Sequence, residues 1–302
     1  MTTRPAASPA LPWADDDAVT LALAGLALRD GVTIGAAGTV VEAGARAEAL
    51  RGRDVLLTGA VPCGECEVCR RGGASVCPAA VALVPAAAGV RAHQRWCTTL
   101  DDSLSAPSLR GLGGALAAGP GALAYAMYAR ANVAPRDATI VVGDDVVARL
   151  LIDVLVAKGA PPIVVHAATG DGCARAHALD LPTAPAQDLA AALPAALVRA
   201  EAGARPRRVF VTDDEALPAG ALPSLLSPLA TMITASVAPR LDAATLAALA
   251  AAEATIRSVR TPHPDLVLEV AALAQRGELD LAGAAAMPAL GAGWALRTFA
   301  PS

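Results

Sequence analysis

Four of the six cysteines, Cys63, Cys66, Cys69 and Cys77, fall within one short segment at the spacing C-x2-C-x2-C-x7-C. Four thiolates at such intervals suit a tetrahedral, all-sulfur zinc site, and Gly64, Gly72 and Gly73 let the backbone turn tightly round a small ion. With sulfur in every coordination place no position stays open for water or substrate, so an ion held here is structural. The segment 63–77 must therefore fold into a compact lobe whatever the rest of the chain does. Cys97 and Cys173 stand apart and read as buried free thiols.

The remaining chain sets the scale. Its 302 residues exceed what one core usually supports and point to two domains. The net charge of -4, from 24 basic and 28 acidic residues, gives no electrostatic support for a nucleic-acid or anionic-membrane partner. Aromatics make up only 2% of the residues and hydrophobics 55%, so the core must be built from Ala, Leu and Val. Mean hydropathy is +0.48, but Gly113, Gly114, Gly119, Pro120 and Gly121 interrupt the apolar stretch from Gly111 to Ala129. No transmembrane helix is expected there. Residues Met1 to Trp13 carry no apolar signal-peptide core, and the cysteines look metal-bound rather than bridged, which places the chain in the cytoplasm.

Short β-rich runs at Ala18–Leu26, Thr39–Gly44 and Arg53–Gly59 predict a small barrel before the cysteine lobe. An Ala-rich helical stretch at Leu109–Ala131, with a break at Gly119–Gly121, follows it. From Ala138 the pattern changes to strand (Ala138–Gly143), helix (Val146–Lys158) and strand (Pro162–His166), a βαβ unit and hence a parallel sheet. Further strands are predicted at Arg208–Thr212, Thr231–Val237 and Thr255–Val259. Helices are predicted near Leu189–Ala202, Leu222–Leu229 and Asp265–Arg276, the last closed by Gly277. The second half thus reads as a doubly wound domain.

With the cysteine lobe, the preceding run Gly38-Thr39-Val40-Val41-Glu42-Ala43-Gly44, the βαβ unit and the run His263-Pro264-Asp265 to Arg276-Gly277-Glu278-Leu279 in order, the chain resembles the zinc-type medium-chain alcohol dehydrogenases over nearly its whole length. The resemblance implies an α/β protein with a GroES-like β-barrel domain over 1–130, completed by 278–302, and a Rossmann doubly wound domain over 131–277. It also implies a homo-oligomer, or a hetero-oligomer with a related subunit, and an NAD(P)-dependent oxidoreductase ancestry.

The departures from the family pattern carry the functional reading. Where the resemblance implies a G-x-C-H-[ST]-D segment the chain has Gly25-Leu26-Ala27-Leu28-Arg29-Asp30, so Ala27 stands at the first catalytic zinc ligand and Arg29 at the proton-relay hydroxyl. The Gly-His-Glu motif becomes Thr33-Ile34-Gly35, with Ile34 at the histidine and Gly35 at the glutamate, and the third ligand falls at or near Gly119. None of these side chains binds a metal, so no catalytic residue is assigned. The dinucleotide fingerprint becomes Gly143-Asp144-Asp145-Val146-Val147-Ala148, in which only Gly143 remains as a weak cofactor-binding candidate. The two carboxylates repel a pyrophosphate and can cap the helix themselves. His166 stands where an acidic residue would hold the ribose and reads as a surface histidine. His93, His177 and His263 read as structural or solvated, and Asp213-Asp214-Glu215 as a solvated acidic loop. Arg29 reads as paired with Asp30, an anion in the old cleft being the other use for it.

These residues predict a zinc-binding, alcohol-dehydrogenase-like pseudoenzyme that serves as a non-catalytic subunit or scaffold, with Cys63, Cys66, Cys69 and Cys77 as metal ligands and NAD(P) doubtful as cofactor. The alternative is a zinc-independent NAD(P)-dependent oxidoreductase. Relatives of that kind keep the phosphate glycines and drop the cysteine lobe, the reverse of this chain.

Overall fold

A computed structural model describes residues 15–299 except 64, 72–75, 84–88, 101–103, 105, 135–136, 167–170, 201–205, 214–220, 222–224, 236–242, 260–261, 288–289 and 292, and the side chains of 171–173. The chain opens with β1 (Ala18–Arg29) and β2 (Val32–Ala43), joined through Asp30 and Gly31 at φ 52° and 77°. Two successive positive φ values match the right-handed twist of a hairpin. Both strands run further than predicted, because Ala27, Gly35, Ala36 and Ala37 carry no strand signal of their own. Pairing and close packing of these small residues override weak propensity. Then come β3 (Asp54–Thr58), β4 (Ala60–Val61), α1 (Glu67–Arg70), β5 (Val81–Ala82), β6 (Val90–His93) and β7 (Thr98–Thr99).

A long helical segment follows: α2 (Gly111–Leu116), a π-helical run at Ala117–Gly121 and α3 (Ala122–Ala131). The predicted break at Gly119–Gly121 is thus a widened turn inside a continuous helix. Pro120 has no N–H and clashes with an α-helical carbonyl, and a π turn accommodates both defects. Asn132, at φ 51°, closes α3 in the left-handed conformation.

The second half comprises β8 (Thr139–Val142), α4 (Val146–Ala157), β9 (Pro162–His166), α5 (Asp171–Ala178), β10 (Thr183–Pro185), α6 (Leu189–Arg199), β11 (Arg208–Val211), β12 (Thr231–Thr234), α7 (Ala243–Ala251), β13 (Thr255–Ser258), α8 (Asp265–Gln275) and α9 (Leu281–Ala285). Its six strands are all parallel, in the order β10-β9-β8-β11-β12-β13. Strand order reverses between β8 and β11, which makes the crevice at their carboxyl ends the ligand-binding position of such sheets. The last strand, β14 (Trp294–Thr298), returns to pair with β1, so the antiparallel sheet reads β14-β1-β2-β3-β7, with β6 also on β1. The architecture is a GroES-like barrel domain joined to a Rossmann domain.

Some predicted elements change. Residues 226–229 are not helical, residues 222–224 and 236–237 lie outside the described set, and β12 ends at Thr234. Helices α5 and α7 and strand β10 went unpredicted. The α7 sequence, AATLAALAA, is apolar on nearly every face and shows no stripe from which to read a helical period.

A largely buried ion cluster ties α4, α5 and the start of α9 together. The Asp153 side chain on α4 is fully enclosed. Its Oδ1 accepts from Arg175 Nε at 2.7 Å and Nη2 at 2.6 Å, and its Oδ2 from the Asp280 N–H at 3.0 Å. Arg149 Nη2 reaches Asp280 at 2.6 Å. Burial pushes the Asp153 carboxyl above its ordinary value, against the Asp280 amide and Arg175. Burial also raises Asp280, but the Gly283 amide and Arg149 outweigh it and hold that carboxyl below its ordinary value.

Candidate functional site: a cysteine lobe and a filled crevice

The cysteine lobe stands on the β4–β5 pair. Cys66 caps α1 and accepts from the Cys69 N–H at 3.4 Å. Cys63 Sγ accepts from the Cys66 N–H, and Cys77 Sγ from the Cys63 N–H, each at 3.4 Å. All four sulfurs lie within 4.8 Å of one another, and among the described residues this is the one such group of metal-ligating side chains. Zn–S bonds of about 2.3 Å to the corners of a tetrahedron place sulfurs about 3.8 Å apart. The Cys66–Cys77 and Cys77–Cys63 pairs, at 3.8 and 3.6 Å, fit that edge. The amides of Glu65 and Cys66 lower the Cys63 thiol to about 6, against burial. Donors aimed at sulfur in this way favour the thiolates a zinc ion needs.

The positions that stand at catalytic-metal ligands, Ala27, Ile34 and Gly119, lie on adjoining segments of backbone: a Cβ on Gly119 would come within 3.1 Å of the Ile34 carbonyl carbon. Ala27 on β1 is paired with Gly35 on β2, and Gly35 packs directly on the π turn. A Cβ placed on Gly35 would collide with the Ala115 carbonyl and the Gly119 amide. One on Gly119 would come within 3.0 Å of Gly35 N. Backbone thus lies against backbone at Gly35 and Gly119, and Ala27, Ile34 and Gly119 offer no side-chain donor atom to a metal. The residues do not fit a catalytic zinc.

The crevice beyond β8 is filled by the chain itself. Gly143, at φ 141°, is held as glycine because a Cβ would strike Thr212 Oγ1. Asp145 is the N-cap of α4: its Oδ1 accepts from the Ala148 N–H at 2.8 Å, and its Oδ2 from the Trp294 indole N–H at 3.2 Å. The Val146 N–H donates to the Leu290 carbonyl at 2.9 Å. Burial pushes the Asp145 carboxyl up, against the Ala148 amide, the Thr212 hydroxyl and Arg29. A helix N-terminus attracts a phosphate through free amides and partial positive charge. Here the chain's own carboxylate and carbonyl take both, so these residues do not fit a dinucleotide pyrophosphate.

Arg29 does not pair with Asp30. Its Nη1 donates to the Ala235 carbonyl at 3.2 Å, and its guanidinium lies 5.4 Å from the centre of the Trp294 ring. His166 is buried at the end of β9 rather than on the surface. His93 accepts from the Arg95 N–H, and His263 Nδ1 lies 3.3 Å from the exposed Asp265 carboxylate. Cys97 is half-buried, donates to the His93 carbonyl at 3.7 Å and has its thiol pushed up to about 12 by burial. The side chain of Cys173, and Asp214 and Glu215, lie outside the described residues; Asp213 is partly exposed. Sequence reading missed Trp294, Thr212 and the 290–294 segment. The run Gly291-Ala292-Gly293-Trp294 was the available signal, two glycines beside a rare aromatic.

No family model and no curated protein matches the sequence. Solved structures do match, and the following three are dehydrogenases by their descriptions. Galactitol-1-phosphate dehydrogenase from Escherichia coli superposes with a TM-score of 0.75 at 16% identity over 96% of this chain and 95% of that one. An alcohol dehydrogenase from Thermus sp. ATN1 gives 0.71 at 19% identity, over 92% and 86%. A putative zinc-binding dehydrogenase from Sinorhizobium meliloti 1021, bound to NADP, gives 0.68 at 15% identity, over 94% and 93%. The chain has the fold of the zinc-type medium-chain alcohol dehydrogenases.

Proposed function

We propose that this chain is a member of that dehydrogenase family that keeps the fold and the structural zinc lobe and has left hydride transfer, acting as a non-catalytic subunit or scaffold. The observation that carries the reading is Asp145: a carboxylate engaged with the Ala148 amide and the Trp294 indole sits where a pyrophosphate would have to bind. The residues Ala27, Ile34 and Gly119 support it independently, since none of them carries a side-chain metal donor atom. Cys63, Cys66, Cys69 and Cys77 would hold one zinc ion, whose contribution is to fix the lobe.

We read the barrel domain as 1–130 completed by 278–302, and the Rossmann domain as 131–277. The net charge of -4 favours neither nucleic acid nor membrane as partner. No helix of the described residues is long and apolar enough to cross a membrane. A cytoplasmic protein assembling with itself or with a related subunit is the corresponding role, and the exposed edge strand β13 is a surface open to such pairing.

Calorimetric titration with NADH and NADPH tests the reading, together with zinc analysis of the purified protein. No binding at millimolar cofactor and one zinc per chain are the expected results. Saturable NADH or NADPH binding would establish the zinc-independent oxidoreductase instead, and two zinc ions per chain would contradict the loss of the catalytic site.

A further inference from the structure

Leu290, Gly291, Gly293 and Trp294 do more than cover a helix end. They lie between the two halves of the molecule, with Gly291 and Gly293 at φ 97° and 75°. A Cβ on Gly291 would strike Asp145, and one on Gly293 would strike the Asp30 carboxylate. On its Rossmann side the segment accepts from Val146 through Leu290 and donates to Asp145 through Trp294. On its barrel side the Asp30 N–H donates to the Gly293 carbonyl at 2.8 Å, and β14 continues directly into the antiparallel sheet. Arg29 completes the connection: it sits at the end of β1, lies over the Trp294 ring and donates to Ala235, just beyond β12.

Hairpin tip, C-terminal segment and helix start are therefore one hydrogen-bonded chain across the crevice, with both oxygens of Asp145 engaged. We propose that Trp294, Asp145 and Arg29 form a built-in latch that holds the barrel and Rossmann halves in one closed arrangement without any ligand. In a two-domain protein whose crevice binds a ligand, closure draws on contacts that the ligand supplies and is lost when it leaves. Here each contact comes from the chain, so closure is constitutive. The latch deepens the reading that no nucleotide uses this crevice, and it is tested separately from it.

The test is hydrogen exchange, read by mass spectrometry, on the full-length wild type, Trp294→Phe and Trp294→Ala. Phenylalanine keeps a ring for Arg29 but has no N–H for Asp145; alanine removes both. Leaving a buried acceptor without its donor is costly enough that the loss raises local opening about fivefold or more. The expected result is faster exchange at the start of α4 and at the 29–31 turn, larger in Trp294→Ala than in Trp294→Phe, with β8, β9 and β3 unchanged. Unchanged exchange at the start of α4 in Trp294→Ala would overturn the latch. So would a uniform rise across both sheets, which marks general destabilisation. If Trp294→Ala does not fold, Trp294→Phe alone decides by the same criterion. NADH binding to the wild type would refute the proposed function and leave this exchange pattern as a separate result.

Discussion

Removing the Asp153 carboxylate should be among the most damaging single changes in the Rossmann half. Its side chain is fully enclosed and that of Arg175 is 18% exposed, with Arg175 placing two nitrogens on one carboxylate oxygen. Asp153→Ala leaves a guanidinium in a low-dielectric site with Asp280, at 3.6 Å, as its remaining acidic neighbour, and frees the Asp280 amide. Breaking a buried pair from one side costs about 3–5 kcal/mol. An unfolding entropy of roughly 2.1 cal/mol/K per residue converts that to a fall in Tm of about 5–8 °C for a chain of this size. The control is Arg199→Ala, which breaks an ion pair to Asp180 with side chains 59% and 99% exposed; such pairs contribute about 0–1 kcal/mol. Differential scanning calorimetry of both variants, at matched pH and zinc content, gives the comparison. The double variant Asp153→Leu/Arg175→Met should recover much of the loss, because an apolar pair carries no desolvation cost. The reasoning fails if Asp153→Ala melts within about 1 °C of Arg199→Ala, or if the double variant is less stable than the sum of its single changes.

The Asp280 carboxyl, held below its ordinary value, contributes stability above the unfolded carboxylate range and loses it as pH falls through the lowered folded value. Acid-unfolding curves of Asp280→Asn should therefore start lower at neutral pH and decline less steeply in that window than those of the wild type. Gly35→Ala should destabilise the barrel by about 1–3 kcal/mol, since the new methyl meets backbone atoms that cannot rotate away; urea unfolding gives the shift. Cys97, with its thiol pushed up to about 12, should resist iodoacetamide at pH 8 in the native protein and react at once in denaturant, as peptide mapping would show. Cys66→Ser should lower zinc content and protease resistance of the 60–83 segment together, because the ion and the fold of the lobe form one equilibrium.

What sequence could and could not convey follows from these same residues. The cysteine spacing, the βαβ unit and the lack of metal donor side chains at Ala27, Ile34 and Gly119 were legible, because each depends on residue type at a fixed interval. The N-cap role of Asp145 was legible too, being local to the turn before α4. Its second partner was not: Trp294 lies 149 positions away, and no periodic pattern links two single residues at that distance. The hairpin of β1 and β2 was hidden because Ala and Gly report neither period nor propensity. The same smallness lets Gly35 approach Gly119, so the least informative residues made a close backbone contact. The assignment of Arg29 to Asp30 failed for the opposite reason. Proximity in sequence favoured the neighbour, whereas tertiary structure offered a carbonyl and an indole from the other half.

The contact between Gly35 and Gly119 also bears on the direction in which such a chain can change. Gly35 admits no larger residue, because its first side-chain carbon would already overlap the Ala115 carbonyl and the Gly119 amide. Any substitution there asks the barrel and the π turn to separate before the new side chain can be of use. Backbone closure of this kind works as a ratchet. A position packed so closely stays glycine for as long as the two segments keep their spacing.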